Sequence, residues 1–126
     1  MRLLLDTHTL LWTLVSPDRL SENATRAIAA EGSEVFVSIV SPWEMAIAKA
    51  LGRMDPPDDL EALLGERRFT LLPVSLSHTH MIETLPHHHR DPFDRMLVAQ
   101  AQVEGLTIVT VDRLLRRYPV SLLPAV

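Results

Sequence analysis

The sequence predicts a single-domain α/β fold: a three-layer sandwich with a central parallel sheet of four or five strands, spanning residues 1–126. Three observations point there. Short apolar runs such as Arg2 to Leu5 and Thr107 to Val111 have the character of strands buried on both faces. They alternate along the chain with stretches of helical period, the pattern of crossover connections. A chain of 126 residues and 14.2 kDa suits one core that buries roughly two-thirds of the surface of its unfolded form, with no room for a second.

The elements follow in order. Arg2 to Leu5 reads as the first strand, and about Thr9 to Val15 as a helix that Pro17 ends. Ser21 is placed to cap a second helix with Ala24, Ala27 and Ile28 on one face, running out near Gly32. Glu34 to Ser38 is a short β-branched strand. Ser41-Pro42-Trp43-Glu44 has the form of a helix start, with Ser as cap, Pro first and Glu third. Trp43, Ala46, Ile47, Ala50 and Leu51 then share one face, expected to pack inward, and Gly52 closes the helix. Asp58 and Glu61 open a short helix through Leu64, and Phe69 to Val74 is the third strand. Ser75 to Leu85 reads as helix, and Pro86 to Arg90 as a His-rich loop. Asp91-Pro92-Phe93-Asp94 repeats the capped start, with Phe93, Met96, Leu97 and Ala101 facing inward and Gly105 as the stop. Thr107 to Val111 is the fourth strand and Val120 to Leu123 a candidate fifth.

Composition narrows the chemistry. With no cysteine, disulfides, thiolate zinc sites, iron–sulfur clusters and Cys nucleophiles are excluded. Asp6 interrupts the N-terminal apolar run before a signal sequence could form, and no stretch approaches the roughly 18 residues of a membrane span, so a soluble cytoplasmic protein is expected. The formal net charge of −4 argues against a protein coated in positive charge. Lys49 is the one lysine beside 11 arginines, a bias that coding composition explains as well as phosphate binding does.

The acids carry the functional signal. Asp6 and Asp112 fall just beyond the C-terminal ends of the first and fourth strands, and Glu44 and Asp94 at the third positions of helices. In a parallel sheet, strand ends and the starts of the following helices share the edge where ligands bind. Four carboxylates meeting there would repel one another unless a cation were present, and an all-oxygen set suits Mg²⁺ or Mn²⁺ rather than Zn²⁺. Without those four acids the remaining charge is formally zero, so a phosphate polymer is not repelled. Plainer roles exist for each: Glu44 in a capping box with Ser41, Asp94 on the helix dipole, Asp91 as a helix cap. Asp6 and Asp112, directly after apolar strands, most need a partner.

Three adjacent histidines cannot all face one ion, so His87, His88 and His89 read as a solvated loop beside the site. His8, His78 and His80 have no evident sequence partner. Arg113, Arg116 and Arg117 form either a solvated face or a phosphate-facing rim, and Trp12 and Trp43 are expected in the core.

Taken together, Leu3-Leu4-Leu5-Asp6-Thr7, Ser38-x-x-Ser41-x-Trp43-Glu44, Asp91-Pro92-Phe93-Asp94-Arg95 and Thr107-Ile108-Val109-Thr110-x-Asp112 resemble the PIN-domain ribonucleases. The resemblance is nearest to the VapC-type toxins of toxin–antitoxin pairs. It implies an acidic pocket holding Mg²⁺ or Mn²⁺ and endonucleolytic cleavage of RNA, with Asp6, Glu44, Asp94 and Asp112 matching the acidic quartet and Thr110 the small hydroxyl residue beside it. It further implies a homodimer and a small VapB-like antitoxin that covers the pocket. His8 stands where many relatives have Asn. The alternative is a PIN-like module that holds RNA or protein without cutting. A receiver domain is disfavoured because Lys49 lies mid-helix, and an aspartate-nucleophile phosphatase because position 8 is His rather than Asp.

Overall fold

The computed structural model describes residues 1–126. The chain runs β1 (Arg2–Leu5), α1 (Thr7–Val15), a 3₁₀ turn (Pro17–Arg19), α2 (Glu22–Ala29), β2 (Glu34–Ser38), α3 (Val40–Ala50), α4 (Leu60–Glu66) and β3 (Thr70–Leu72). It continues with α5 (Leu76–Thr84), α6 (Pro92–Glu104), β4 (Thr107–Thr110), a second 3₁₀ turn (Arg113–Arg117) and β5 (Ser121–Pro124). All five strands are parallel, in the order β3-β2-β1-β4-β5. No helix is long and apolar enough to cross a membrane.

The sheet is apolar on both faces because both are covered. Leu3 and Leu5 pack with Leu10, Ala24, Val37, Met45 and Val109 on one side. Leu4 packs with Leu97, Val98, Ile108, Leu115 and Tyr118 on the other. Alternate residues of β1 therefore feed two separate cores, the period-2 logic of a strand between helical layers. The chain builds outward from β1 to β2 and β3, then returns to β4 and β5 on its other side. The connections thus reverse direction between β1 and β4, which opens a crevice beyond their C-terminal ends.

Most elements begin where the sequence signals them. Ser21 and Ser75 accept backbone N–H groups of Ala24 and His78 as helix caps, and Asp91 accepts that of Phe93. Gly105 ends α6 at φ 67°, a left-handed conformation suited to glycine. The candidate fifth strand pairs in parallel with β4. The third strand is shorter than expected, since Pro73 has no N–H to continue the ladder. Helix α1 starts earlier than expected, because Asp6 accepts the N–H of Thr9 and nucleates it directly after β1.

Helix α3 departs furthest from the sequence reading. The hydroxyl of Ser38, at the end of β2, lies 3.1 Å from the backbone nitrogen of Val40 and accepts its N–H, so the helix starts before Ser41. Ser41 is a buried helical residue rather than a cap, and Glu44 sits in the second turn. The inward face is Val40, Ser41 and Met45. Trp43 is 60% exposed and Leu51 equally so, with Ile47 at 41%, so the apolar stripe and the tryptophan expected in the core face outward. Trp12 is half-buried beneath the Arg19 guanidinium.

Leu4 is fully buried in the middle of the sheet. Leu4→Ala is expected to cost about 2–5 kcal/mol of unfolding free energy in urea titration, against about 0.5 kcal/mol or less for Val15→Ala at an exposed helix end.

Candidate functional site

The crevice between β1 and β4 is where the acids collect. Asp6, Thr7, His8, Glu44, His89, Asp91, Asp94, Val111 and Asp112 line one cleft of about 320 Å³. The four acids singled out from sequence thus come together from the ends of β1 and β4, the second turn of α3 and the first turn of α6.

Each is held differently. Asp6 is buried: Oδ1 accepts the Thr9 N–H at 2.8 Å, while Oδ2 accepts the Thr110 hydroxyl at 2.6 Å and the Val111 N–H at 3.3 Å. Three of its roughly four acceptor positions are therefore used. The Thr110 oxygen in turn accepts the N–H of Asp112 at 2.9 Å. One threonine hydroxyl thereby couples the acid after β1 to the acid after β4. Asp112 also caps the second 3₁₀ turn through Leu114 N–H. Glu44 reaches the cleft by accepting the Thr7 hydroxyl at 2.6 Å, and Thr7 itself lies 3.1 Å from the Ser41 hydroxyl. The proposed capping box of Ser41 and Glu44 does not form, since Ser41 is already inside the helix.

Asp94 is the third residue of α6, as the sequence indicated, and its side chain is 19% exposed. Burial, with the negative charges of Asp91, Asp6 and Glu44, pushes its carboxyl up to about 7, while His89 partly offsets them. The cause is plain: a carboxylate withdrawn from water among like charges holds its proton. Asp91 serves as the helix cap expected of it and also lines the cleft.

The His run divides. His87 and His88 are exposed, whereas His89 turns inward, 13% exposed, with Nε2 2.6 Å from Asp112 Oδ2 and 3.3 Å from Asp94 Oδ2. For His89 the solvated-loop reading is corrected. The reason is anchorage: Tyr118 Oη, buried under the loop, accepts the His89 N–H at 2.9 Å. Arg95, also buried, donates to the carbonyl of Pro86 at 2.8 Å and to Tyr118 Oη at 3.2 Å. Tyr118 lies 29 positions from His89, so nothing local in the sequence marks the contact. His8 is exposed at the rim of the cleft. His78 is buried away from it, completing the α5 cap by accepting the Ser75 N–H.

The donors fit a hard divalent cation. Carboxylate oxygens dominate, no thiolate is present, and carboxylate oxygens of Asp94 and Asp112 lie within 4.8 Å of each other, with a ring nitrogen of His89 within the same distance of both. Arg113 and Arg116 line a groove that adjoins the cleft at Val111 and Asp112. On another side, Ile39, Val40, Trp43, Val74, Pro92, Phe93 and Met96 form an apolar groove of about 480 Å³.

A parallel α/β domain with carboxylates gathered at its switch point is the class that fold and site define. The chain belongs to the PIN-domain family, whose model matches residues 3–120. In structure it is similar to the DNA-bound VapBC2 crystal structure from Rickettsia felis, with TM-score 0.73, 17% identity and 98% of each chain covered. It is also similar to DNA-bound VapBC from Salmonella typhimurium, with TM-score 0.73, 20% identity, and 98% of this chain and 97% of that chain covered. FitAcB from Neisseria gonorrhoeae gives TM-score 0.67, 16% identity, and 97% and 96% coverage. No curated protein matches it in sequence.

Because the folded protein raises the proton affinity of Asp94 above that of the unfolded chain, the protonated form favours folding and stability falls as pH rises from about 4 through about 7. Asp94→Asn removes that loss. In EDTA the variant is expected to be more stable than wild type at pH 8 by on the order of 1–3 kcal/mol, the gap closing at pH 4, as measured by chemical denaturation.

Proposed function

We propose that the protein is a Mg²⁺- or Mn²⁺-dependent endoribonuclease, the toxin of a toxin–antitoxin pair, working in the cytoplasm. The observation that carries this reading is the convergence of Asp6, Glu44, Asp94 and Asp112 on one cleft, with Asp94 pushed up to about 7. A protein gains nothing from gathering mutually repelling acids unless a cation or positive partner joins them. PIN-family membership and the likeness to toxins solved with their antitoxins support the nuclease and toxin assignments.

In this reading Asp94 and Asp112 face the ion most directly, and Glu44 adds a carboxylate oriented by Thr7. Asp6, with most of its acceptor positions used, contributes one remaining lone pair and fixes the distance between β1 and β4. The ion, when bound, supplies an activated water at neutral pH and neutralises charge on the phosphodiester. The chain's own residues orient the substrate: Arg113 and Arg116 offer bidentate donors to backbone phosphates beside Asp112. Hydrolysis by water leaves a 5′-phosphate and a 3′-hydroxyl.

The apolar groove around Trp43 supports association with protein partners, since a monomer rarely leaves such a stripe in water. The outward residues Ile39, Trp43, Ile47 and Leu51 repeat every four positions, which suits packing against the same stripe of a second copy. A small VapB-like antitoxin is then expected to reach the acidic cleft.

Single-stranded RNA incubated with the protein and Mn²⁺ is expected to yield 5′-phosphorylated fragments, with cleavage abolished by EDTA. Glu44→Gln and Asp94→Asn are expected to lose about 100-fold or more. These are cleaner tests than Asp6→Asn, whose amide would set an N–H against either the Thr9 or the Val111 N–H. RNA bound but left intact would favour the non-catalytic module. Trp43→Glu is expected to convert a dimer to a monomer in light scattering, and an unchanged mass would remove this face from the interface.

A further inference from the structure

His89 is unusual because its hydrogen bonds define its chemistry. The backbone N–H of Asp91 points at Nδ1, 3.0 Å away, so Nδ1 is the acceptor and the ring proton sits on Nε2. That N–H is directed between two carboxylates, 2.6 Å from Asp112 Oδ2 and 3.3 Å from Asp94 Oδ2. An imidazole can ligate a metal through Nε2 only when that nitrogen bears a lone pair. The tautomer with that lone pair would place a proton on Nδ1, directly against the Asp91 N–H. As the loop is held, by Tyr118 Oη at the His89 N–H and by Arg95 at the Pro86 carbonyl, His89 is a donor and not a ligand.

We propose that His89 is a latch for the metal site: it satisfies Asp94 and Asp112 in the metal-free protein and must be displaced for a divalent ion to bind them. The proposal rests on reading the cleft as a metal site. Its logic is competition for the same oxygens. Asp112 Oδ2 cannot both accept the short hydrogen bond from Nε2 and present that lone pair to an ion. Apparent metal affinity is then lowered by the fraction of molecules in which the ring occupies the gap. The anchors hold the main chain of this loop at the His89 N–H and the Pro86 carbonyl, so withdrawal is a movement of the His89 side chain, which gives up the Asp91 N–H contact at Nδ1 and no hydrogen bond of a helix or strand.

The test is Mn²⁺ binding to the full chain by isothermal titration calorimetry in metal-free buffer, comparing wild type, His89→Ala and the exposed-site control His87→Ala. His89→Ala is expected to bind Mn²⁺ about tenfold or more tightly, the factor corresponding to loss of one competing charge-assisted hydrogen bond. His87→Ala is expected to match wild type. In parallel, ¹⁵N spectra of histidine-labelled wild type are expected to show an unprotonated Nδ1 and a protonated Nε2 in EDTA. Saturating Mg²⁺ should shift Nε2 without removing its proton. Weaker binding by His89→Ala, or an Nε2 that loses its proton to Mg²⁺, would make His89 a ligand and overturn the latch. Equal affinities would make the ring a bystander. Absence of Mn²⁺ binding in every variant would sink the metal reading itself.

Discussion

Electrostatic repulsion at one edge of the sheet is the constraint on which this structure turns. The order β3-β2-β1-β4-β5 puts the ends of β1 and β4 side by side, and each strand is followed by an acid within two residues. The fold meets the resulting repulsion with hydrogen-bond donors. The Thr110 hydroxyl and the Val111 N–H hold Asp6, the Thr7 hydroxyl holds Glu44, and the His89 ring holds Asp112. Asp94 has the least of this support, and it is the acid whose proton affinity rises. The two cores beneath the site make that arrangement tolerable, because strands buried on both faces give the crevice a rigid floor.

Function follows from what such a crevice can exchange. Donors that stabilise separate carboxylates do not draw them together, whereas one divalent ion attracts them all at once and offsets part of their charge. In the proposed reading the same edge takes a phosphate chain past Arg113 and Arg116, while the Trp43 groove is apolar and lined by none of the acids. Chemistry and protein association, in that reading, draw on different sets of residues.

How far the sequence reveals this depends on whether the signal is local. The strand core, the Ser21, Ser75 and Asp91 caps and the Gly105 stop depend on neighbouring residues, and each is visible in the chain itself. Asp6, Asp94 and Asp112 are legible because parallel topology converts their positions after strands and in a helix start into proximity. Helix α3 misleads because two capping signals compete. Ser41-Pro42 has the better pattern, yet Ser38 is placed by β2 where it can take the Val40 N–H, and the earlier start rotates Trp43 outward. His89 is invisible for a different reason: its direction is set by Tyr118 and Arg95, contacts that no run of three histidines encodes.

The claim that these acids exist to clasp a hard ion is tested most directly by anomalous diffraction from a crystal soaked in Mn²⁺. A peak about 2.2 Å from carboxylate oxygens of both Asp94 and Asp112, with the His89 ring withdrawn from between them, is the predicted result. An empty cleft at saturating Mn²⁺, with His89 still bridging the two carboxylates, would contradict the account.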